Sequence, residues 1–126
     1  MTNTARLLFF LLCAFLCGES VMAQALPKAK DSVLLNLSSD RFRLLLHGAG
    51  AAYDWANTEL AVNKKQPLLF CQPENLTLNT DNFIHITKSE LENGVLKGFY
   101  DKWPHAPEEL AILALKNGLI ATFPCK

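Results

Sequence analysis

Charge imbalance is missing from this sequence. Lys and Arg together number 12, Asp and Glu also 12, and no basic cluster stands out. That removes the electrostatic case for nucleic acid or an anionic membrane surface as a partner. Long hydrophobic runs are missing too. The longest, residues 7–16, is about half the roughly 20 residues that a membrane-spanning helix needs. Motifs that carry chemistry are equally scarce. There is no C-x-x-C, no phosphate loop, no nucleophile motif and no pair of carboxylates at useful spacing, and His47, His85 and His105 stand alone rather than at metal-ligand spacing. The expectation is a chain without cofactor or metal that binds rather than catalyses. No internal repeat, low-complexity tract or linker divides it.

Cysteine is sparse, at 4 residues, and two of these lie in a segment with its own logic. Arg6 precedes the apolar run Leu7-Leu8-Phe9-Phe10-Leu11-Leu12-Cys13-Ala14-Phe15-Leu16, and small residues follow. A basic start, a short apolar stretch and a small-residue cut site are the layout of a secretory signal peptide. Residues 1–23 are therefore expected to be a signal peptide, cut after Ala23 or, as a close second, Ala25. Leu12 and Leu16 precede the two cysteines, which argues against a lipid-anchored one. The mature chain is expected to be exported, with residues 24–38 as an N-terminal segment carrying a short helix and 39–126 as one helical domain.

Export leaves Cys71 and Cys125. Each stands beside a Phe and a Pro, in Leu69-Phe70-Cys71-Gln72-Pro73 and Phe123-Pro124-Cys125, where an apolar segment has to stop. In an oxidising compartment structural disulfides form and persist, so the pair reads as an intramolecular staple. An intermolecular bond or two free thiols is the competing reading.

Ser38-Ser39-Asp40 supplies N-cap residues for the longest periodic segment of the chain. Phe42, Leu45, Leu46, Ala49, Ala52, Tyr53, Ala56 and Leu60 share one helical face. Leu44, Gly48, Ala51, Trp55 and Val62 form a second stripe nearly opposite, with Arg43, His47, Asp54 and Asn57 as a polar wedge between them. A helix apolar on two sides is covered on both. Either it runs through the middle of a single core, or the Leu44, Gly48, Ala51, Trp55 stripe forms a dimer interface. Gly48 and Gly50 suggest close approach of a neighbouring helix.

Asn79 or Thr80 caps a further helix with Ile84, Thr87, Leu91 and Val95 along one stripe. Pro107, Glu108 and Glu109 open the last one, which is apolar almost all round from Leu110 to Phe123 and so belongs in the middle of a bundle. The fold class expected is all-α, a compact bundle of four or five helices. Between those two helices lies Phe99-Tyr100-Asp101-Lys102-Trp103-Pro104-His105. It is too polar for a core segment and too aromatic for an ordinary solvent loop. Aromatic residues held by prolines suit a protein-binding surface, with Tyr100 the more exposed aromatic and Phe99 and Trp103 the ones to tuck inward.

Taken together, Gly48-Ala49-Gly50-Ala51-Ala52-Tyr53-Asp54-Trp55-Ala56-Asn57, Phe70-Cys71-Gln72-Pro73, Pro107 with Glu109, Ala114-Leu115 and Phe123-Pro124-Cys125 resemble the Rap/Tai immunity family over residues 40–126. The resemblance is greatest to the immunity proteins partnered with the fourth class of type VI secretion amidases. It implies a periplasmic helical homodimer that binds a peptidoglycan amidase toxin with a Cys-His active site and blocks it with a protruding loop. The resemblance places that loop on Tyr100, Asp101, Lys102, Trp103 and His105. Many relatives carry another Cys at the start of the Gly-rich helix, where this chain has Leu44-Leu45-Leu46-His47, so their extra disulfide has no counterpart. A small single-disulfide periplasmic chaperone is the second class of function to weigh.

Overall fold

A computed structural model describes residues 27–126; the expected signal peptide and its cut after Ala23 or Ala25 lie outside the described residues. Among these residues there are five α-helices and no strand: α1 (Ala29–Asn36), α2 (Asp40–Glu59), α3 (Thr80–Asn93), α4 (Lys97–Tyr100) and α5 (Pro107–Thr122). The chain is an all-α bundle, as its periodicity requires. No helix among the described residues is long and apolar enough to cross a membrane.

Local chemistry starts the helices. The Ser39 hydroxyl accepts from the Phe42 N–H to cap α2. Asn79 and Asn82 exchange side-chain and backbone hydrogen bonds of 2.9 and 3.0 Å in a capping box that opens α3. Pro107 stands in the first turn of α5, where a missing N–H costs nothing, followed by two glutamates at the positive end of the helix dipole. The far end of α2 is less regular. It widens into a π-helical turn (Leu60–Lys64) that Lys65 closes in a left-handed conformation, φ 50°.

The middle of the bundle is α5, which packs against α1, α2 and α3. It buries Leu110, Ala111, Ala114, Leu115, Gly118 and Leu119. Each fully buried leucine contributes about 2 kcal/mol relative to an exposed one. Val33 and Leu37 of the N-terminal segment join the same core, with Phe42 and Leu46 of α2 and Phe83, Ile86 and Leu91 of α3. Two glycines set how closely the helices approach. A Cβ on Gly50 would overlap the Phe83 ring, and one on Gly118 would meet the Ile86 side chain and backbone. Gly48, which invited the same reading, has open space around it. It lies on the outer stripe of α2 rather than at the crossing.

The polar wedge of α2 anchors its neighbours. Arg43 pairs with Asp81 at 2.8 Å, and the His47 ring nitrogen lies 3.1 Å from the Thr80 hydroxyl, both at the start of α3. Farther along, the Asn57 side chain donates to the Phe70 carbonyl at 2.9 Å and accepts from the Leu69 N–H at 2.8 Å. It clamps the extended segment that leads to Cys71. The Cys71 N–H in turn donates to the Phe123 carbonyl at 2.7 Å, and Cys71 and Cys125 form the disulfide, with their Cα atoms 4.9 Å apart. The end of α5 is thus tied, through segment 68–71, to the side of α2.

Candidate functional site

The stretch between α3 and α5 adopts a conformation that helical phase alone does not give. Gly94 ends α3 with an extended ψ of 157°. The next turn therefore starts out of register, and Val95, expected on the buried stripe, is 99% exposed. One turn of helix, α4, then exchanges the expected roles of two aromatics. Tyr100 is 1% exposed and Phe99 52% exposed. Tyr100 is a core residue, not a contact residue of the loop.

The physical reason is a polar partner inside. The Tyr100 hydroxyl donates to Glu90 Oε1 at 2.8 Å and accepts from the Asn117 amide at 2.9 Å. Phe99 has no polar group to bring to Glu90. Burial pushes the Tyr100 phenol up to about 12; the Asn117 bond opposes the rise, and the bond to Glu90 and its charge add to it.

What Tyr100 anchors is a ridge. Phe99 and Trp103 meet edge to face with ring centroids 5.5 Å apart, and Trp103 and His105 do the same at 5.3 Å. Trp103 is half-buried, and its indole N–H donates to the Ala106 carbonyl at 3.3 Å. Lys102 and His105 are exposed. Asp101 is exposed as well but already has a partner, because the Lys30 ammonium of α1 donates to it at 2.7 Å. That bond, with further help from Lys28 and Lys97, holds the Asp101 carboxyl below the ordinary carboxylate range. Of the five residues assigned to the loop, Lys102 stands free, His105 is exposed but packed against Trp103, Trp103 and Asp101 are partly committed, and Tyr100 is withdrawn. Phe99 takes its place on the surface. Its signal in the sequence was there, an aromatic next to Gly98, but the choice between neighbouring aromatics needed the position of Glu90.

A second exposed apolar surface runs along the outer side of α2. Leu44, Gly48, Ala51, Trp55 and Val62 are exposed, with Trp55 75% accessible. Beside them a groove of about 540 Å³ is lined by Leu45, Ala49, Ala52, Tyr53 and Ile112 as well as Leu44 and Gly48. Of the two stripes on α2, one enters the core through Phe42 and Leu46, with Leu45, Ala49 and Tyr53 half-buried against it and Ala52 exposed, and the other is bare among the described residues. Among the described residues no group of three His, Cys, Asp or Glu side chains is placed to hold a metal ion. No family model, curated protein or solved structure matches this chain.

Proposed function

We propose that this protein is a periplasmic immunity protein, which binds a type VI secretion peptidoglycan amidase and occludes its active site without chemistry of its own. The observation that carries this reading is the ridge of Phe99, Trp103 and His105, held edge to face on a disulfide-tied bundle with Lys102 exposed beside it. A plug needs shape and rigidity. Anchoring through Tyr100 and the Lys30–Asp101 pair limits the ordering entropy lost on binding. The family resemblance over residues 40–126 supplies the class of target, and the expected signal peptide supplies the compartment.

The triple substitution Phe99→Ala, Lys102→Ala, His105→Ala tests the ridge. Central aromatic contacts typically carry about 2 kcal/mol or more each, so affinity for a cognate Cys-His amidase should fall about 100-fold or more. The thermal midpoint should fall only modestly, since none of the three is a core residue and the losses are the edge-to-face contacts with Tyr100 and Trp103. Titration calorimetry and peptidoglycan hydrolysis in the presence of the variant would read it, and unchanged inhibition would remove the ridge from the mechanism.

The same reading makes the protein a homodimer, with α2 of one copy covering α2 of the other. Exposed apolar patches of this kind mark association surfaces. A charge in place of Trp55 would have to be buried between the copies. Trp55→Asp should therefore convert a dimer to a monomer in sedimentation velocity; no change in mass would discard that surface. The bare α2 stripe also favours the chaperone reading over any enzymatic one, because a holdase needs exposed apolar surface. Acid would break the Lys30–Asp101 pair as that carboxyl protonates. Clean monodispersity and no binding of unrelated clients in acid would exclude the chaperone.

A further inference from the structure

The second half of α3, the turn 94–96 and the second half of α5 enclose a groove of about 500 Å³. Ile86, Val95, Leu96 and Ile120 give it apolar walls, interrupted by the uncharged polar side chains of Ser89, Asn93, Asn117 and Thr122, and Val95, Leu96 and Ile120 are exposed at its rim. Glu90 is the one ionisable side chain that lines it, with no Lys, Arg or His among the lining residues.

Glu90 is 7% exposed, yet it takes part in none of the ion pairs among the described residues, which join Lys30 to Asp101, Arg41 to Glu108 and Arg43 to Asp81. Buried carboxylates are ordinarily paired with a cation. Here the protein supplies only a neutral hydroxyl, from Tyr100 to Oε1. The single O–H donor of that hydroxyl is thereby used, and its oxygen accepts from the Asn117 amide. No cation among the described residues pairs with the Glu90 carboxyl, which lies at the floor of a slot whose other lining residues are apolar or uncharged.

We infer that this groove takes a basic side chain, lysine or arginine, presented by a partner polypeptide: its aliphatic stem lies against Ile86, Leu96 and Ile120 and its cationic head pairs with Glu90. Charge complementarity selects the occupant. An apolar side chain would leave the carboxylate buried without a counterion, and an acidic one would meet it with like charge. A long flexible stem ending in a cation matches both the apolar walls and the single charge. The groove is separate from the Phe99–His105 ridge, and the inference stands whether or not that ridge binds an amidase.

The probe is the blocked tripeptide acetyl-Ala-Lys-Ala-amide, with its norleucine counterpart as the uncharged control, titrated into the isotopically labelled full chain and followed by amide chemical shifts. The lysine peptide should bind in the millimolar range, with shifts concentrated at residues 86–96 and 117–122. Norleucine in its place, or Glu90→Gln, should weaken binding about tenfold or more, as expected for loss of a charge-assisted contact. Gln keeps an acceptor for the Tyr100 hydroxyl, so the fold should survive. Ile120→Ser, at an exposed position, is a second variant that tests the stem contact and should weaken binding about threefold. Equal binding of the two peptides, insensitivity to Glu90→Gln and Ile120→Ser, shifts centred elsewhere, or no shifts at saturating peptide would each overturn the assignment.

Discussion

Reducing the disulfide should cost this protein about 4 kcal/mol, the largest effect expected of any single covalent change. Cys71 and Cys125 are 54 residues apart in sequence. Closing a loop of that length lowers the entropy of the unfolded chain by an amount worth about 4 kcal/mol. A domain of this size is typically stable by about 5–15 kcal/mol, so the reduced protein stands near the threshold of unfolding. Urea titration of the oxidised protein against Cys71→Ser/Cys125→Ser should show the midpoint falling strongly. A stability loss of only a few tenths of a kcal/mol would mean that the Asn57 clamp and the Cys71–Phe123 backbone bond already hold this end of the bundle without the sulfurs.

Tyr100→Ala should be comparably damaging, by about 3–5 kcal/mol, through the cavity left when a large aromatic is cut back. Loss of the hydroxyl also leaves Glu90 and Asn117 without their shared partner. Tyr100→Phe isolates that polar part and should cost about 1–3 kcal/mol. If Tyr100 were a surface contact, both variants would fold as well as the wild type.

An alkaline signature belongs to the same residue. The folded-state phenol sits at about 12, above the ordinary value near 10. Its contribution to stability is complete below the ordinary value and is lost as pH rises through about 12. Burial also raises the Tyr53 phenol, so some alkaline loss should remain in Tyr100→Phe. Stability measured from pH 9 upward should fall less steeply in that variant than in the wild type. Superimposable profiles would contradict the assignment of the shift to Tyr100.

How far the residues alone predict this structure depends on the range over which each interaction acts. Caps such as Ser39 and Asn79 work over three residues and were legible, as was Pro107 at the start of α5. The Cys71–Cys125 pairing was legible because two cysteines allow one intramolecular bond. The two stripes of α2 were legible as a pattern, yet which would be core depended on the Phe83 ring lying over Gly50. Gly48, two residues away on a helix, points elsewhere. Where a short break resets the phase, the reading failed. Gly94 sends Val95 outward and exchanges Phe99 for Tyr100, and only Glu90 and Asn117, from two other helices, decide that exchange. The wedge residues Arg43, His47 and Asn57 looked merely polar, because their partners Asp81, Thr80 and Phe70 lie 13 to 38 positions along the chain.

The central position of α5 has a bearing on when the chain can fold. Synthesis delivers residues in order, so α1, α2 and α3 emerge before residues 107–122, against which all three pack. Until then Val33, Leu46 and Leu91 have no common wall to cover them. A nascent polypeptide with that topology lacks its core for most of its synthesis, and it condenses late, around its final helix, once the two sulfurs can meet.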